Sequence, residues 1–477
     1  MRANKIKLNN EVLIDLTQDT VEESDVLFGK TFHKADGSIA VGSNVGVLEE
    51  RDVNFYDYDG TLLYSYSVEE ARNLKSLPPL PEHEGLICQE WNHTLERVNT
   101  VKYGLDVGAT YTTDDGSVRI YITLDERVSL EFSLSFKLDG DTSHDTVITW
   151  GDGTSTVCDK TIDVYSHVYV TGGDYVVKIH KHDDCIIWLG STLDASNPKG
   201  VTGKGYEDSA QIYTDMIRRA ELPINTLLAS YCFYNCQLLK YVTVATRTDI
   251  TRGMDMGCFR YTESLEALIV PRYITSLRGY FLGNSGVKVL SLPDGLVTID
   301  GYTFPNTYRL KRLVVSGRNY QGIEVNGSAI QKLIFEKPVT NGNGGYESFG
   351  GISKATDVVF GELTRFGSGM FGNTGIREIE FREGTEYLYD GCFRNSYRLL
   401  MVTMPSSIKR IYAQAFQNCP QLKFVDFTKC EWVPILENSN AFSGNSSDFE
   451  IRVSAELYDK WIAATNWSTL ADKIVPV

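Results

Sequence analysis

The chain has 477 residues, with 46 Lys and Arg against 62 Asp and Glu and a formal charge of −16. At roughly 100–200 residues per domain, that length predicts about three to five domains. With 23% charged and 42% hydrophobic residues, the composition is that of folded protein and argues against global disorder. The acidic balance argues against nucleic acid or anionic lipid as a partner, since both want a basic face.

The first ten residues lack the apolar core of a secretory signal, and no run approaches the ~18 apolar residues of a membrane helix. The expectation is a protein made in the cytoplasm, not exported by the general route and not inserted in a membrane. Residues 1–50 hold two short strand patterns, Lys5 to Leu8 and Val12 to Leu16, then an Asp/Thr-rich turn and a Gly29-Lys30-Thr31-Phe32-His33 run. Residues 5–21 and 29–42 resemble the N-terminal segment found in many phage tail and virion proteins. The resemblance implies docking on other virion proteins.

Residues 51–110 open on Val53-Asn54-Phe55-Tyr56-Asp57-Tyr58-Asp59-Gly60-Thr61. Asp-Gly between apolar runs predicts a β-hairpin. The same D-x-D-G-T resembles the first motif of haloacid-dehalogenase phosphatases, which would make Asp57 a nucleophile and Asp59 a general acid. No Mg²⁺ carboxylate cluster or doubly wound pattern follows, so the hairpin is preferred. The later Leu77-Pro78-Pro79 and Glu90-Trp91-Asn92 resemble the small β-grasp repeats of internalin-type surface proteins.

Residues 111–190 alternate as strands, with Trp150-Gly151-Asp152-Gly153, His167-Val168-Tyr169 and Gly173-Asp174-Tyr175 in order. This order resembles PKD-like domains of immunoglobulin fold, which implies a β-sandwich with Trp150 and Tyr175 in its core. His180 and His182 share a strand face beside acidic residues, and a solvated strand end is preferred over a metal site. Residues 191–208 read as a Gly/Ser-rich linker.

From 209 to 450 the chain repeats. Phe233, Phe259, Phe281, Phe304, Phe349, Phe371, Phe393, Phe416 and Phe442 recur at steps of 22 to 26 residues, with one double step of 45. Most are followed by Asn, Cys or both. An apolar triple at i, i+3, i+5 follows most of them, as in Leu265/Leu268/Val270 and Leu399/Val402/Met404. The last step is a strand alternation. A proline after several triples ends the pairing. One unit cannot bury its own apolar side, so the units must stack as a solenoid with the phenylalanines as internal rungs. The pattern resembles the BspA-like leucine-rich repeat. It weakens between 316 and 348, where Asn341-Gly342-Asn343-Gly344-Gly345 predicts a turn or protruding loop. Residues 451–477, with Ser454 as a helix N-cap and Trp461 and Trp467, read as the terminal cap.

The fold expected is therefore mostly β and multidomain: small β modules and an immunoglobulin-like sandwich followed by a leucine-rich-repeat solenoid. Nine cysteines without a C-x-x-C, and no His beyond His182, exclude a zinc site with downstream His and predict free, buried thiols. No catalytic motif occurs, so no enzyme, cofactor or metal is expected. Between the second and third triple positions, Val314, Ile334 and Val359 point away from the core. They form an apolar strip that either contacts a receptor or a neighbouring copy or is covered by the chain itself. The expected role is a phage virion protein, tail- or head-fibre-associated, displaying the array to a bacterial surface receptor or glycan. The alternatives are a bacterial adhesin and a purely structural decoration protein. A homo-oligomer is compatible with a fibre, although no heptad run supports a trimer.

Overall fold

The computed structural model describes residues 50–140, 145–159, 164–181, 185–190, 200–202, 215–247, 252–299, 302–315, 319–320, 325–336 and 349–477. It also describes the backbone of four short strands nearer the N-terminus. Those four form two antiparallel hairpins, Lys5–Leu8 with Glu11–Asp15 and Thr31–His33 with Ile39–Val41.

Residues 53–113 form a separate small module. Val53–Tyr56 turns back into Leu62–Tyr66 through the Asp57–Thr61 hairpin, and Leu105–Thr113 lies parallel to Val53–Tyr56 in the sheet centre. Leu86–Trp91 flanks it antiparallel. The helix Val68–Arg72 starts on a full capping box between Ser67 and Glu70. The helix Leu95–Asn99 starts on Thr94. Phe55 and Trp91 meet edge to face at 5.0 Å in a core with Val98, Val107 and Tyr111. In this sheet Asp57 and Asp59 lie in the hairpin turn preferred from the sequence. The strand before them reverses at once, and Asp57 is buried and accepts hydrogen bonds from Tyr58 N and Tyr111 Oη while meeting His83 Nε2 at 2.7 Å. Asp59 accepts from Thr61 N to close the turn. The last strand runs on to Thr113, three residues past the boundary expected at 110.

The next unit is a two-sheet sandwich. One sheet runs Val164–Val168, Glu131–Gly140, Cys185–Leu189, Thr226–Leu228; the other runs Ser155–Val157, Val147–Thr149, Gly173–His180, Val118–Leu124, Ile217–Leu222, Tyr241–Val244. Trp150 and Tyr169 are core residues, with Tyr169 Oη donating to Trp150 O at 2.8 Å; Tyr175 is half-buried against Tyr169. His180 meets Thr149 Oγ1 at 3.2 Å, and His182 lies outside the described residues.

Of the expected linker 191–208, residues 191–199 and 203–208 lie outside the described residues, as do 209–214, where the solenoid was expected to begin; its first described strand is Ile217–Leu222. That strand pairs antiparallel with Val118–Leu124 of the sandwich and parallel with Tyr241–Val244 of the next coil. Val201, inside the expected linker, is buried: its N–H donates to Cys232 O and its carbonyl accepts from Ser135 N. One continuous apolar core runs from Val118 to Ile474. The sandwich thus caps the open end of the first coil, which a repeat array requires.

Each later coil adds one parallel strand to a main sheet that is hydrogen-bonded as three successive ladders: Ala267–Ile269 with Val289–Ser291, Arg312–Val315 through Lys332–Phe335 to Asp357–Val359, and Glu378–Glu380 through Met401–Thr403, Phe424–Asp426 and Glu450–Val453 to Ile474–Pro476. Two narrower parallel ladders run beside it. The phenylalanine rungs stack at 5.5–5.7 Å from Phe349 through Phe371, Phe393 and Phe416 to Phe442. In the weakened unit the rung is Val325, fully buried, while the loop 341–345 lies outside the described residues. At the far end Ile474–Pro476 adds a last strand, and Trp461 and Trp467 pack on Phe427. Ser454 precedes the final helical turns but makes no side-chain cap.

Candidate binding surface

In a strand of the main sheet, alternate side chains enter the core and the others project from the face. Those projecting on the early coils are largely buried, with Tyr241, Val289 and Lys332 partly exposed, because the small module lies across them. Asn92 Nδ2 donates to Val270 O and Ser291 Oγ, both at 2.9 Å, while its Oδ1 accepts from Gly108 N. Ser291 Oγ also donates to Asp106 O at 2.6 Å. His93 Nε2 reaches Leu292 O at 3.0 Å. Glu90 pairs with Arg272, and Gln89 exchanges two hydrogen bonds with the Thr246 backbone.

Two buried ionic contacts lie at the centre and edge of this seam. Arg312 Nε meets Asp106 Oδ1 at 2.9 Å, and Arg312 Nη2 donates to Asp52 O. Burial pushes the Asp106 carboxyl up, and Arg312 pulls against that shift. Glu336 receives the consecutive N–H groups of Lys102, Tyr103 and Gly104 at 2.6, 2.7 and 3.0 Å, with Arg97 at 3.4 Å. Consecutive amides turned to one carboxylate make an anion nest. Glycine is required twice: a Cβ on Gly108 would overlap Ile269, and one on Gly104 would come within 2.8 Å of Ile334 Cδ1.

Of the apolar strip read from the sequence, Val314 and Ile334 lie under the chain's own module, the covered alternative, and Val359 does not. Ile334 is 0% and Val314 5% exposed, in the row that Gly104 and Asp106 of the module cross. They hold the chain's own module, because burying apolar surface within one chain costs no association entropy. Val359, on the next strand, is half-exposed and marks where cover ends. At that border Lys102 Nζ meets Glu362 at 3.2 Å and Arg382 meets it at 2.9 Å. Arg382, then Lys102, hold the Glu362 carboxyl below its usual range.

Beyond the border the face is open. Asp357, Glu378 and Glu380 are exposed, and Met401, Thr403, Phe424, Asp426 and Arg452 are half-buried. The Arg452 guanidinium sits 3.8 Å over the Phe424 ring, and Lys429 reaches Glu380 at 3.0 Å. Met401 and Phe424 were missed in the sequence because they precede the second triple position, whereas the row between the second and third positions is polar here, at Glu380, Thr403 and Asp426. Among the described residues there is no cluster of three metal-ligating side chains, and no helix is long and apolar enough to cross a membrane. The nine cysteines are unbridged, seven of them buried.

Residues 226–343 and 325–447 match the family model for the BspA type leucine rich repeat region, in six copies. Over that stretch, somewhat less than half of the chain, the solenoid is similar to BspA-type leucine-rich repeats. The chain is similar to the solved structure of a leucine-rich repeat protein from Bacteroides ovatus ATCC 8483, at 12% identity and a TM-score of 0.37. That likeness covers 55% of this chain and 66%, just under two thirds, of the other. It is also similar to that of a leucine rich cell surface protein from Faecalibacterium prausnitzii A2-165, at 17% identity and a TM-score of 0.27, covering 47% of this chain and 75% of that one. No curated protein matches the sequence.

Proposed function

We propose that the chain is an attachment protein, with recognition carried by the open half of the main sheet, from Asp357–Val359 to Glu450–Val453. The observation behind this reading is the half-cover: the module occupies the early coils and leaves the strand face of the late ones uncovered. The role is contact and not catalysis. The carrier on this reading is a phage particle, with the N-terminal hairpins as the docking segment and a bacterial surface as the target. That assignment rests on the likeness of residues 5–21 and 29–42 to virion segments. A bacterial cell surface is the alternative carrier.

Binding of the full chain to candidate bacterial cells tests the attachment reading. Thr403→Trp plants a bulky ring on the open face without touching the core, and cell binding should be lost while the melting temperature holds. Unchanged binding removes the open face as the attachment surface. Immunogold labelling of particles tests the carrier: labelled particles are expected, and unlabelled particles with labelled cell envelopes would transfer the protein to the cell surface.

A further inference from the structure

The two halves of the main sheet carry opposite charge. From Tyr241 to Ile334 the outward positions hold no carboxylate and two cations, Arg312 and Lys332. On the outward row the module meets that half with Gly104, Gly108 and the Asp106 carboxylate, and at the edges it sets Glu90 against Arg272, Arg97 against Asp294 and Glu336, and Lys102 against Glu362. From Asp357 to Arg452, five of the ten outward positions are carboxylates, Glu378, Glu380 and Asp426 among them, and one is a guanidinium, Arg452. Between them lies a half-buried apolar floor of Met401 and Phe424. From Glu378–Glu380 to Glu450–Val453 this half is one parallel ladder, the same kind of strand face that the module covers on the early coils.

Complementary charge is what the seated module shows, and complementarity selects partners. A second copy of this chain is disfavoured, because its net charge is −16. A sugar ring needs an open aromatic face, and the Phe424 ring is already topped by Arg452. We infer that the open half takes a cationic polypeptide segment of another protein. Its Lys or Arg side chains meet Glu378, Glu380 and Asp426, and an apolar side chain lies over Met401 and Phe424. The Lys429–Glu380 pair is exposed on both sides and exchanges readily for such a cation. The inference rests on the attachment reading and narrows its partner.

The test uses the full chain and a fluorescein-labelled Lys-Val-Lys-Phe-Lys-Val-Lys peptide, read by anisotropy at about 0.15 M ionic strength. A peptide with Gln for every Lys is the neutral control. The triple variant E378Q/E380Q/D426N should bind about tenfold more weakly. The variant E456Q/D459N/D472N, which removes the same charge from the C-terminal cap, should change binding by less than about twofold. Equal losses in the two variants would mean diffuse attraction and overturn the inference, as would no binding of the cationic peptide or equal binding of the Gln peptide. If Thr403→Trp abolishes cell binding while the cationic peptide fails to bind, only the partner class is wrong. If Thr403→Trp leaves cell binding intact, the attachment reading itself falls.

Discussion

One left-handed asparagine in most coils explains a regularity that the phenylalanine period alone does not. Asn235, Asn284, Asn306, Asn373, Asn395 and Asn418 all have φ of 56–61°, two residues or so after a rung. Asparagine tolerates the left-handed region better than other side chains. Asn373→Ala should therefore cost about 1–2 kcal/mol by denaturant melting, with Asn373→Gly close to neutral. Removing Arg312 is a harsher change, because it leaves the Asp106 carboxyl buried without its cation. Arg312→Met should destabilise the module's seat by about 3–5 kcal/mol, and Arg312→Met with Asp106→Leu should recover most of that loss. In the sandwich, burial raises the Asp152 carboxyl, but hydrogen bonds from Thr154 and His167 outweigh it and hold the pKa at about 2. A depressed carboxylate contributes stability above its unfolded value and loses it as pH falls through the folded one. Asp152→Asn should thus lower the melting temperature at pH 7, and the gap to the native protein should close between about pH 4 and pH 2.

At the level of elements, the rungs were legible because a solenoid repeats its core in the sequence. Phe393 stacks on Phe371 and Phe416 at 5.5 and 5.6 Å. Phe393→Ala should cost about 3–5 kcal/mol, from lost transfer energy and a cavity that stacked coils cannot close. Val325 escaped the pattern because a valine fills the rung position without announcing it. The module's seat was illegible for a different reason: Asn92 and Ser291 are 199 residues apart, and Asp106 and Arg312 are 206 apart. Periodicity carries no information about which distant surface lies over an apolar strip. Val314 and Ile334 therefore looked like a contact surface and were one, for the chain's own strands.

For the whole molecule, the sandwich and the solenoid behave as one body, because Ile217–Leu222 is a strand of both. Deleting residues 1–200 strips the cap and bares an edge strand, and the remaining array should aggregate. Deleting residues 1–113 keeps the cap but bares Ile269, Val314 and Ile334, so it should stay folded and bind an apolar dye such as ANS. The half-covered sheet is tested most directly by thiol labelling of Ile334→Cys and Thr403→Cys in the full chain, read peptide by peptide. Thr403→Cys should react readily, at the rate of a partly exposed thiol. Ile334→Cys should stay protected until Gly108→Val lifts the module off the sheet. Equal reactivity of the two positions in the native background would contradict the account.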